Sequence, residues 1–155
     1  MRMTNSKKLI FTWEDFWQYC EVITQTIRQS DKSYSQIVAI ARGGFYLGDY
    51  LSRRLQIPLA VIVANSYTKP NQQNELSIGD ISSVQPLQGD VLLVDDLLDT
   101  GITMVTIKNK LEQEDHLRID TAVIWQKSQC QYQANYYYSV TPQDYWIVQP
   151  FEVSA

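Results

Sequence analysis

The chain contains few of the residues on which several classes of protein depend. It has one histidine, His116, and two cysteines, Cys20 and Cys130, in 155 residues. One histidine in a polar stretch leaves no basis for a Ser-His-Asp triad or for a metal site built from histidines. Two distant thiols without metal-ligand spacing are typical of a reduced protein, so we expect a cytoplasmic location.

Long apolar runs and an excess of positive charge are also missing. The N-terminal residues lack the apolar core of a signal peptide, and no segment reaches the roughly 20 apolar residues of a membrane-spanning helix. The formal net charge is -4, which opposes long-range attraction to nucleic acid. A small anionic ligand is still compatible with this charge, because local dipoles and a metal ion act over a few ångströms. We therefore expect neither a membrane nor a nucleic-acid partner.

Apolar residues, by contrast, are abundant, and their spacing alternates between strand and helix patterns. A chain of 155 residues with 45% hydrophobic composition can bury one core and is short for two ordinary domains, so we predict one domain over 1–155. Alternating strands and helices are typical of an α/β domain with a mostly parallel sheet. The predicted strands are residues 36–40, 59–65, 90–94 and 121–125, and the predicted helices start near Thr12, follow residue 44 and start near Ile102.

Three segments depart from this alternation. Residues 66–88 are polar and rich in turn-forming residues, and so long a connection is usually a functional lid or a disordered loop. Residues 130–155 are rich in tyrosine and predict one or two further strands. We expect residues 1–8 to form a disordered tail.

The stretch DVLLVDDLLDTGITM, residues 90–104, carries the clearest chemical pattern. An apolar strand ends at Val94 and is followed at once by Asp95 and Asp96. In parallel α/β sheets, ligands bind beyond the carboxyl ends of the strands. The pattern therefore predicts that both carboxylates lie at a binding site.

The residues that follow predict an anion cradle. Gly101 and the hydroxyls of Thr100 and Thr103 precede or open a helix, whose free N–H groups suit a terminal phosphate. Carboxylates beside a phosphate repel the ligand unless they meet hydroxyls or a cation, and a ribose phosphate with Mg²⁺ supplies both. The alternative is that the aspartates only cap a turn.

These motifs resemble those of type I phosphoribosyltransferases. VLLVDDLLDTGIT resembles the family's phosphoribosyl pyrophosphate (PRPP) motif, and IVAIARGGFYLGDYLSRRLQIP resembles its first loop and following helix. NSY resembles the start of the flexible catalytic loop, and WIVQPFE resembles the purine-site segment of bacterial xanthine-guanine phosphoribosyltransferases. The similarity runs from Leu9 to Glu152 in the same order, and the nearest subfamily is the short 6-oxopurine enzymes.

The resemblance implies a fold and a reaction. The fold would be the type I phosphoribosyltransferase α/β fold, with a mostly parallel central sheet flanked by helices, a flexible lid over residues 66–88 and a small C-terminal hood that binds the base. The reaction would be transfer of the 5-phosphoribosyl group from PRPP to guanine, xanthine or hypoxanthine in purine salvage. Mg²⁺ would be the cofactor, and the protein would be a homo-oligomer, either a dimer or a tetramer.

The resemblance also implies which residues bind PRPP. Arg42, Gly43 and Gly44 would bind pyrophosphate, in a loop where the family often has a cis peptide before the arginine; here that bond joins Ala41 to Arg42. Asp95 and Asp96 would meet the ribose hydroxyls and the Mg²⁺ shell. The residues implied for the ribose and the 5′-phosphate are Asp95, Asp96, Asp99, Thr100, Gly101, Ile102 and Thr103.

Further residues are implied for catalysis and for the base. Asp99 would be the catalytic residue, accepting a proton from N7 of the base. Lys127 would donate to the exocyclic O6, Trp146 would stack on the ring, and the backbone of Ile147 would meet the 2-position edge. Ser66 and Tyr67 would belong to the lid that excludes water.

Each assignment has an alternative without a function in binding. Arg42 could pair with a surface acid, Lys127 could be a solvated loop lysine, and Trp146 could be a core aromatic. Ser66 and Tyr67 could be ordinary turn residues. For the whole protein, the alternatives are a regulatory or nucleotide-sensing protein with little catalysis, or a phosphoribosyltransferase for a different base.

Overall fold

Nine strands and three helices alternate along the part of the chain that the computed structural model describes, residues 7–67 and 75–153. The elements in chain order are β1 (Lys8–Ile10), α1 (Trp13–Gln29), β2 (Gln36–Ala41), α2 (Phe45–Leu55), β3 (Leu59–Tyr67), β4 (Glu75–Ser82), β5 (Asp90–Val94), β6 (Leu97–Leu98), α3 (Ile102–Glu114), β7 (Arg118–Lys127), β8 (Tyr136–Thr141) and β9 (Trp146–Val148). None of the helices in these residues is long and apolar enough to cross a membrane.

The central sheet has seven strands and is parallel except at one edge. Its order is β4-β3-β2-β5-β7-β6, and β8 pairs with β7. Among the strands of the described residues in this sheet, only β4 runs antiparallel, and its neighbour is β3. Strands β1 and β9 form a separate parallel pair, which we call the hood. The prediction of an α/β fold with a mostly parallel sheet is confirmed.

The sheet is buried on both faces, which explains the continuous apolar runs of its strands. Successive side chains of a strand point to opposite faces. In β5, Leu92 and Val94 therefore pack in the core under α1 and α2, whereas Val91 and Leu93 pack against α3. All four side chains are fully buried.

Helix α1 begins where its capping residues predict. The Thr12 hydroxyl accepts a hydrogen bond from the Asp15 N–H at 3.1 Å, and the Asp15 carboxylate accepts one from the Thr12 N–H at 3.0 Å. This reciprocal capping box satisfies two N–H groups that the helix leaves free. The apolar stripe that follows is buried against the sheet, and it comprises Phe16, Cys20, Ile23 and Ile27.

Two expectations are wrong in part. Residues 66–88 are not an irregular connection throughout, because β3 extends to Tyr67 and β4 pairs antiparallel with it. β4 is an edge strand, in which exposed positions alternate with half-buried ones such as Ile78. The many polar residues at its exposed positions led to the prediction of a loop. The predicted tail of residues 1–8 is also too long, since Lys8 pairs with Trp146 in the hood. Residues 1–6 and 68–74 lie outside the described residues.

Candidate functional site

Three neighbouring parallel strands end at the same edge of the sheet, and the candidate residues lie at these strand ends. Arg42 follows β2, Asp95 and Asp96 follow β5, and Lys127 is the last residue of β7. Because β5 lies between β2 and β7, the carboxylates occupy the middle of this edge. This is the position at which α/β sheets bind ligands.

The loop after β2 lies directly on the aspartate pair. The Ala41–Arg42 peptide bond is cis. A Cβ atom at Gly43 would lie 2.6 Å from an Asp96 carboxylate oxygen, and one at Gly44 would lie 2.5 Å from the Val94 carbonyl oxygen. A side chain at Gly44 is therefore excluded by backbone atoms, whereas one at Gly43 would displace the Asp96 carboxylate. The exposed Arg42 is the cation of this loop.

Asp95 and Asp96 interrupt the ladder between β5 and β7. Val94 pairs with Ala122 and Leu97 pairs with Trp125, so β6 resumes along the same edge of β7 after the two aspartates. The Asp96 carbonyl accepts hydrogen bonds from the N–H groups of Ile124 and Trp125, at 3.0 and 3.1 Å. The pair is thereby held by backbone bonds, which leaves its carboxylates at the end of β5.

The two carboxylates are half-buried and close together. The Asp96 N–H donates to Asp95 Oδ1 at 2.8 Å. Burial raises the pKa of the Asp95 carboxyl well above its usual range, and the neighbouring Asp96 charge raises it further. Burial also raises the pKa of Asp96. A cation or hydroxyl donors from a ligand would favour the ionised forms of both groups.

The aspartate pair fits Mg²⁺ by the chemistry of its donors. Both side chains offer carboxylate oxygens, and Asp96 lines the cavity described below. No group of three or more metal-ligating side chains occurs among residues 7–67 and 75–153. Mg²⁺ is commonly bound by one or two carboxylates together with substrate phosphates and water, so two carboxylates are sufficient.

The predicted phosphate cradle forms the turn into α3. Gly101 has a φ of +84°, in the left-handed region that favours glycine, and an added Cβ would lie 3.1 Å from the Cys130 sulfur. Thr100 is exposed, Thr103 is half-buried, and the Ile102 side chain is 62% exposed. The 13-residue helix α3 therefore begins at the solvent-facing edge of the site, where its first N–H groups can meet an anion.

Lys127 and Asp99 both contact the segment between β8 and β9. Lys127 is only 5% exposed, so it is not a solvated loop lysine. Its ammonium donates to the Tyr145 carbonyl and, at 3.4 Å, to the Gln143 carbonyl. Asp99 is exposed, and its Oδ1 accepts a hydrogen bond from Gln143 Nε2 at 2.9 Å. Sequence reasoning did not identify Gln143, which shows no motif of its own.

A cavity of about 930 Å³ separates the Arg42 loop from the hood. Arg42, Gly43 and Asp96 line one side, and Trp146 lines the other. Trp146 is 62% exposed, so it is not a core aromatic. The Ile147 side chain is buried in the core, so at this position only the backbone is available to a ligand.

Four of the residues that line the cavity, Lys8, Ile10, Tyr46 and Phe151, were not identified from the sequence. In β1, Lys8 and Ile10 face the cavity while Leu9 packs in the core, which is ordinary strand alternation. Tyr46 and Phe151 also line the cavity and stack on each other, with ring centroids 4.3 Å apart and planes 7° apart. The alternation in β1 is the signal that could have indicated Lys8 and Ile10, but three residues are too few to establish a strand pattern.

The lid residues are described only by their backbone. Ser66 and Tyr67 are the last two residues of β3, and they pair with Leu76 and Glu75 of β4. The lid role of Ser66 and Tyr67 stays a prediction.

Comparison with known proteins identifies a curated relative of this chain. The HGPRTase-like protein 2 of Haloquadratum walsbyi is 33% identical over 118 residues, which cover 69% of this chain. The match spans 62% of the length of that relative.

Solved structures share the fold over most of the chain. The purine phosphoribosyltransferase of Pyrococcus horikoshii Ot3 is 26% identical, with a TM-score of 0.77, and the match covers 96% of this chain and 97% of that one. The xanthine-guanine-hypoxanthine phosphoribosyltransferase of Helicobacter pylori is 23% identical, with a TM-score of 0.77 and 91% of each chain covered. The phosphoribosyl transferase domain model matches residues 8–155. Because this match extends over nearly the whole sequence, the chain belongs to the phosphoribosyl transferase domain family.

Proposed function

We propose that this protein transfers the 5-phosphoribosyl group from PRPP to a 6-oxopurine base in purine salvage. The products are a nucleoside 5′-monophosphate and pyrophosphate. The observation that carries this proposal is a single cavity, which is lined by Arg42, Gly43 and Asp96 and also by the exposed indole of Trp146. One wall suits an anionic, hydroxylated substrate and the other offers an aromatic surface to a planar base.

The PRPP side of the site uses the residues at the strand ends. The Arg42 guanidinium binds the pyrophosphate, for which Gly43 and Gly44 leave room beside the aspartates. Asp95 and Asp96 accept hydrogen bonds from the ribose hydroxyls. The turn from Thr100 to Thr103, which includes Gly101 and Ile102, holds the 5′-phosphate at the start of α3.

Mg²⁺ is the cofactor that this family's chemistry implies, and Asp95 and Asp96 would hold it together with substrate oxygens. Bound there, Mg²⁺ would supply positive charge beside the pyrophosphate group.

The base lies between Trp146 and the β7 end of the site. The Lys127 ammonium has three donors, and two of them are directed at carbonyls in the described residues. The third donates to O6 of the base. Trp146 stacks on the ring, and the Ile147 backbone meets the 2-position edge. As the bond from C1 to the base nitrogen forms, the bond from C1 to the pyrophosphate oxygen breaks, and Asp99 accepts the proton from N7.

Three further assignments complete the proposal. Ser66 and Tyr67 belong to a lid over residues 66–88 that excludes water during the reaction. The protein acts in the cytoplasm, a location with which its two free cysteines, Cys20 and Cys130, are consistent. It assembles as a homo-oligomer, either a dimer or a tetramer.

Release of pyrophosphate tests the activity directly. The protein is incubated with PRPP, Mg²⁺ and each nucleobase in turn, and we expect release with guanine, hypoxanthine or xanthine. Release only with a pyrimidine or with adenine would contradict the base assignment. Binding of PRPP without release for any base would contradict catalysis and favour a regulatory or nucleotide-sensing role.

A further inference from the structure

We propose that Gln143 is a positioning residue that links the proton acceptor Asp99 to the base-binding segment. This inference rests on the proposed function, because it assigns a task within that reaction. Gln143 lies in the short connection between β8 and β9, which leads directly into Trp146. It makes contacts with Asp99, with the chain just after β7 and with Lys127.

The orientation of the Gln143 amide follows from its two partners. The Gln129 N–H is a donor and lies 3.3 Å from Gln143 Oε1, so this oxygen is the group that accepts. The amide nitrogen, Nε2, therefore faces Asp99 and donates to Oδ1 at 2.9 Å. An amide flipped by 180° would place donor against donor at Gln129 and acceptor against acceptor at Asp99.

This contact fixes one oxygen of an otherwise exposed carboxylate. Asp99 lies between the buried Leu98 and the exposed Thr100, at the edge of the phosphate turn. With Oδ1 held by Gln143, rotation of the carboxylate is restricted, and Oδ2 is the oxygen that takes the proton in this proposal. A proton acceptor must lie within hydrogen-bond reach of the proton that it takes, so restricting this rotation favours turnover.

The same residue also contacts the group proposed to recognise O6. The Gln143 carbonyl accepts from the Lys127 ammonium at 3.4 Å, and the Tyr145 carbonyl accepts from it as well. The Tyr145 N–H in turn donates to the Pro142 carbonyl at 3.1 Å, which closes the connection into a turn. One turn thus sets the relative positions of the proton acceptor, the O6 donor and the stacking indole.

Substitutions of Gln143 can distinguish a role in positioning the Asp99 carboxylate from a role in the stability of the fold. Gln143→Met keeps the length of the side chain and removes both polar atoms, and Gln143→Glu keeps the oxygen that accepts from Gln129 but turns a second oxygen toward Asp99. We expect kcat to fall about tenfold for the methionine variant, the scale of one lost hydrogen bond. We expect a larger fall, about a hundredfold, for the glutamate variant, because two carboxylates then face each other.

The KM for PRPP is expected to stay within about twofold of wild type in both variants, since Gln143 does not contact PRPP in this proposal. Gln133→Ala is the matched control: Gln133 is exposed, its amide lies 3.5 Å from the Tyr137 hydroxyl, and its loss should leave kcat unchanged. The melting temperature of each variant is measured beside the kinetics. Gln143→Ala is a second truncation if the methionine variant melts early.

The relative kcat values of the Gln143→Glu and Gln143→Met variants test the inference. A purely structural role predicts that Gln143→Glu, which keeps the shape and the Gln129 contact, is the milder change. A glutamate variant as active as the methionine variant, or more active, would therefore overturn the inference while leaving the proposed function intact. Absence of pyrophosphate release by the wild type with every purine would overturn both.

Discussion

A side chain at Gly43 or Gly44 would occupy space that the β5 end and its aspartates already fill. The nearest atoms to an added Cβ are Asp96 carboxylate atoms at Gly43, and the Val94 carbonyl oxygen and Asp95 Cα at Gly44. Cβ contacts under 3 Å with backbone atoms require the loop to move. Close approach to backbone thus requires glycine at Gly44, a side chain at Gly43 would displace the Asp96 carboxylate, and at Gly101 the requirement is a positive φ.

Asp99→Asn should separate PRPP binding from turnover. Asparagine keeps the size of the side chain and its side-chain oxygen still accepts from Gln143, but it no longer takes a proton. We expect the affinity for PRPP to stay nearly unchanged and kcat to fall about a hundredfold, the usual scale for a lost general base. Steady-state rates and PRPP titrations measure the two quantities, and Asp115→Asn at the exposed end of α3 is the control. An unchanged kcat would remove Asp99 from the role of proton acceptor.

Lys127→Ala should abolish the preference for oxopurines. A lysine has only donors, so it faces the 6-amino group of adenine donor to donor, and the third donor of this buried ammonium is left unpaired. A mismatch of this kind separates substrates by about 10⁴-fold where a site is built to hydrogen-bond one of them. Steady-state rates with guanine, hypoxanthine, xanthine and adenine measure the preference. Lys110→Ala, in α3, is the control, and a Lys127→Ala variant that keeps the full preference would contradict the assignment.

Helices α1 and α2 are joined by one carboxylate, that of Glu21. It accepts hydrogen bonds from Arg54 at 2.8 and 3.0 Å and from the Tyr50 hydroxyl at 2.6 Å. The donors of Arg54, then Tyr50 and then Gln25, lower the pKa of Glu21 from 4.5 to about 2. The Glu21 and Arg54 side chains are 34% and 43% exposed, so solvent screens the pair and its contribution to stability is modest.

Glu21 should make the stability of this helix pair depend on pH. Its folded pKa lies below its unfolded value, so its contribution is complete above about pH 4.5 and is lost as the pH falls toward about 2. Glu21→Gln should lower the free energy of unfolding at pH 7, and its difference from wild type should shrink below pH 4.5. Urea unfolding at several pH values measures this. Arg54→Gln should weaken the same dependence, and a difference that is constant from pH 7 to pH 2.5 would contradict it.

Strand β4 is an element that the sequence patterns did not predict. β4 contains Leu76, Ile78 and Ile81 among polar residues, and at Ile62 to Ala64 its pairing with β3 contains a register shift. Because β4 has a neighbour on one side only, its exposed face tolerates polar residues, and the apolar pattern of a central strand is absent. Helix α1, with its capping box and regular apolar stripe, was predictable in full.

At the scale of the whole molecule, residues of the sheet edge and of the hood line one cavity. The hood pairs β1, from the start of the described chain, with β9, near its end. The cavity between hood and sheet collects two cations, Lys8 and Arg42, and two acids, Asp96 and Glu152. This local balance of charge, rather than the net charge of -4, is what the proposed binding of an anionic substrate with a cation requires.

PRPP should stabilise the folded protein in a manner that depends on Mg²⁺. A ligand that binds only the folded state raises the free energy of unfolding by about 2.7 kcal/mol at a hundred times its Kd. We expect PRPP to raise the melting temperature in Mg²⁺ and to do so much less in chelator. Asp96→Asn should reduce this difference, and the melting temperature without PRPP provides the baseline for each protein. Equal stabilisation by PRPP with and without Mg²⁺ would contradict the metal role of Asp95 and Asp96.

Local patterns in the sequence alone determined the main elements and the candidate motif. Apolar runs and helical spacing predicted β2, β3, β5 and β7 and all three helices, since a side-chain period depends only on neighbouring residues. The position of Asp95 and Asp96 after an apolar strand was likewise sufficient to predict a place at the sheet edge, because strand ends are local features.

Only the tertiary structure decided which distant residues meet at that edge. Gln143 contacts Asp99 across 44 positions, and Tyr46 in α2 stacks on Phe151, which follows β9. The burial of Lys127 at 5% exposure likewise depends on the segment after β8 that covers it. Such contacts follow from strand order and register, which are set by the packing of the whole core and leave no periodic signal in any one segment.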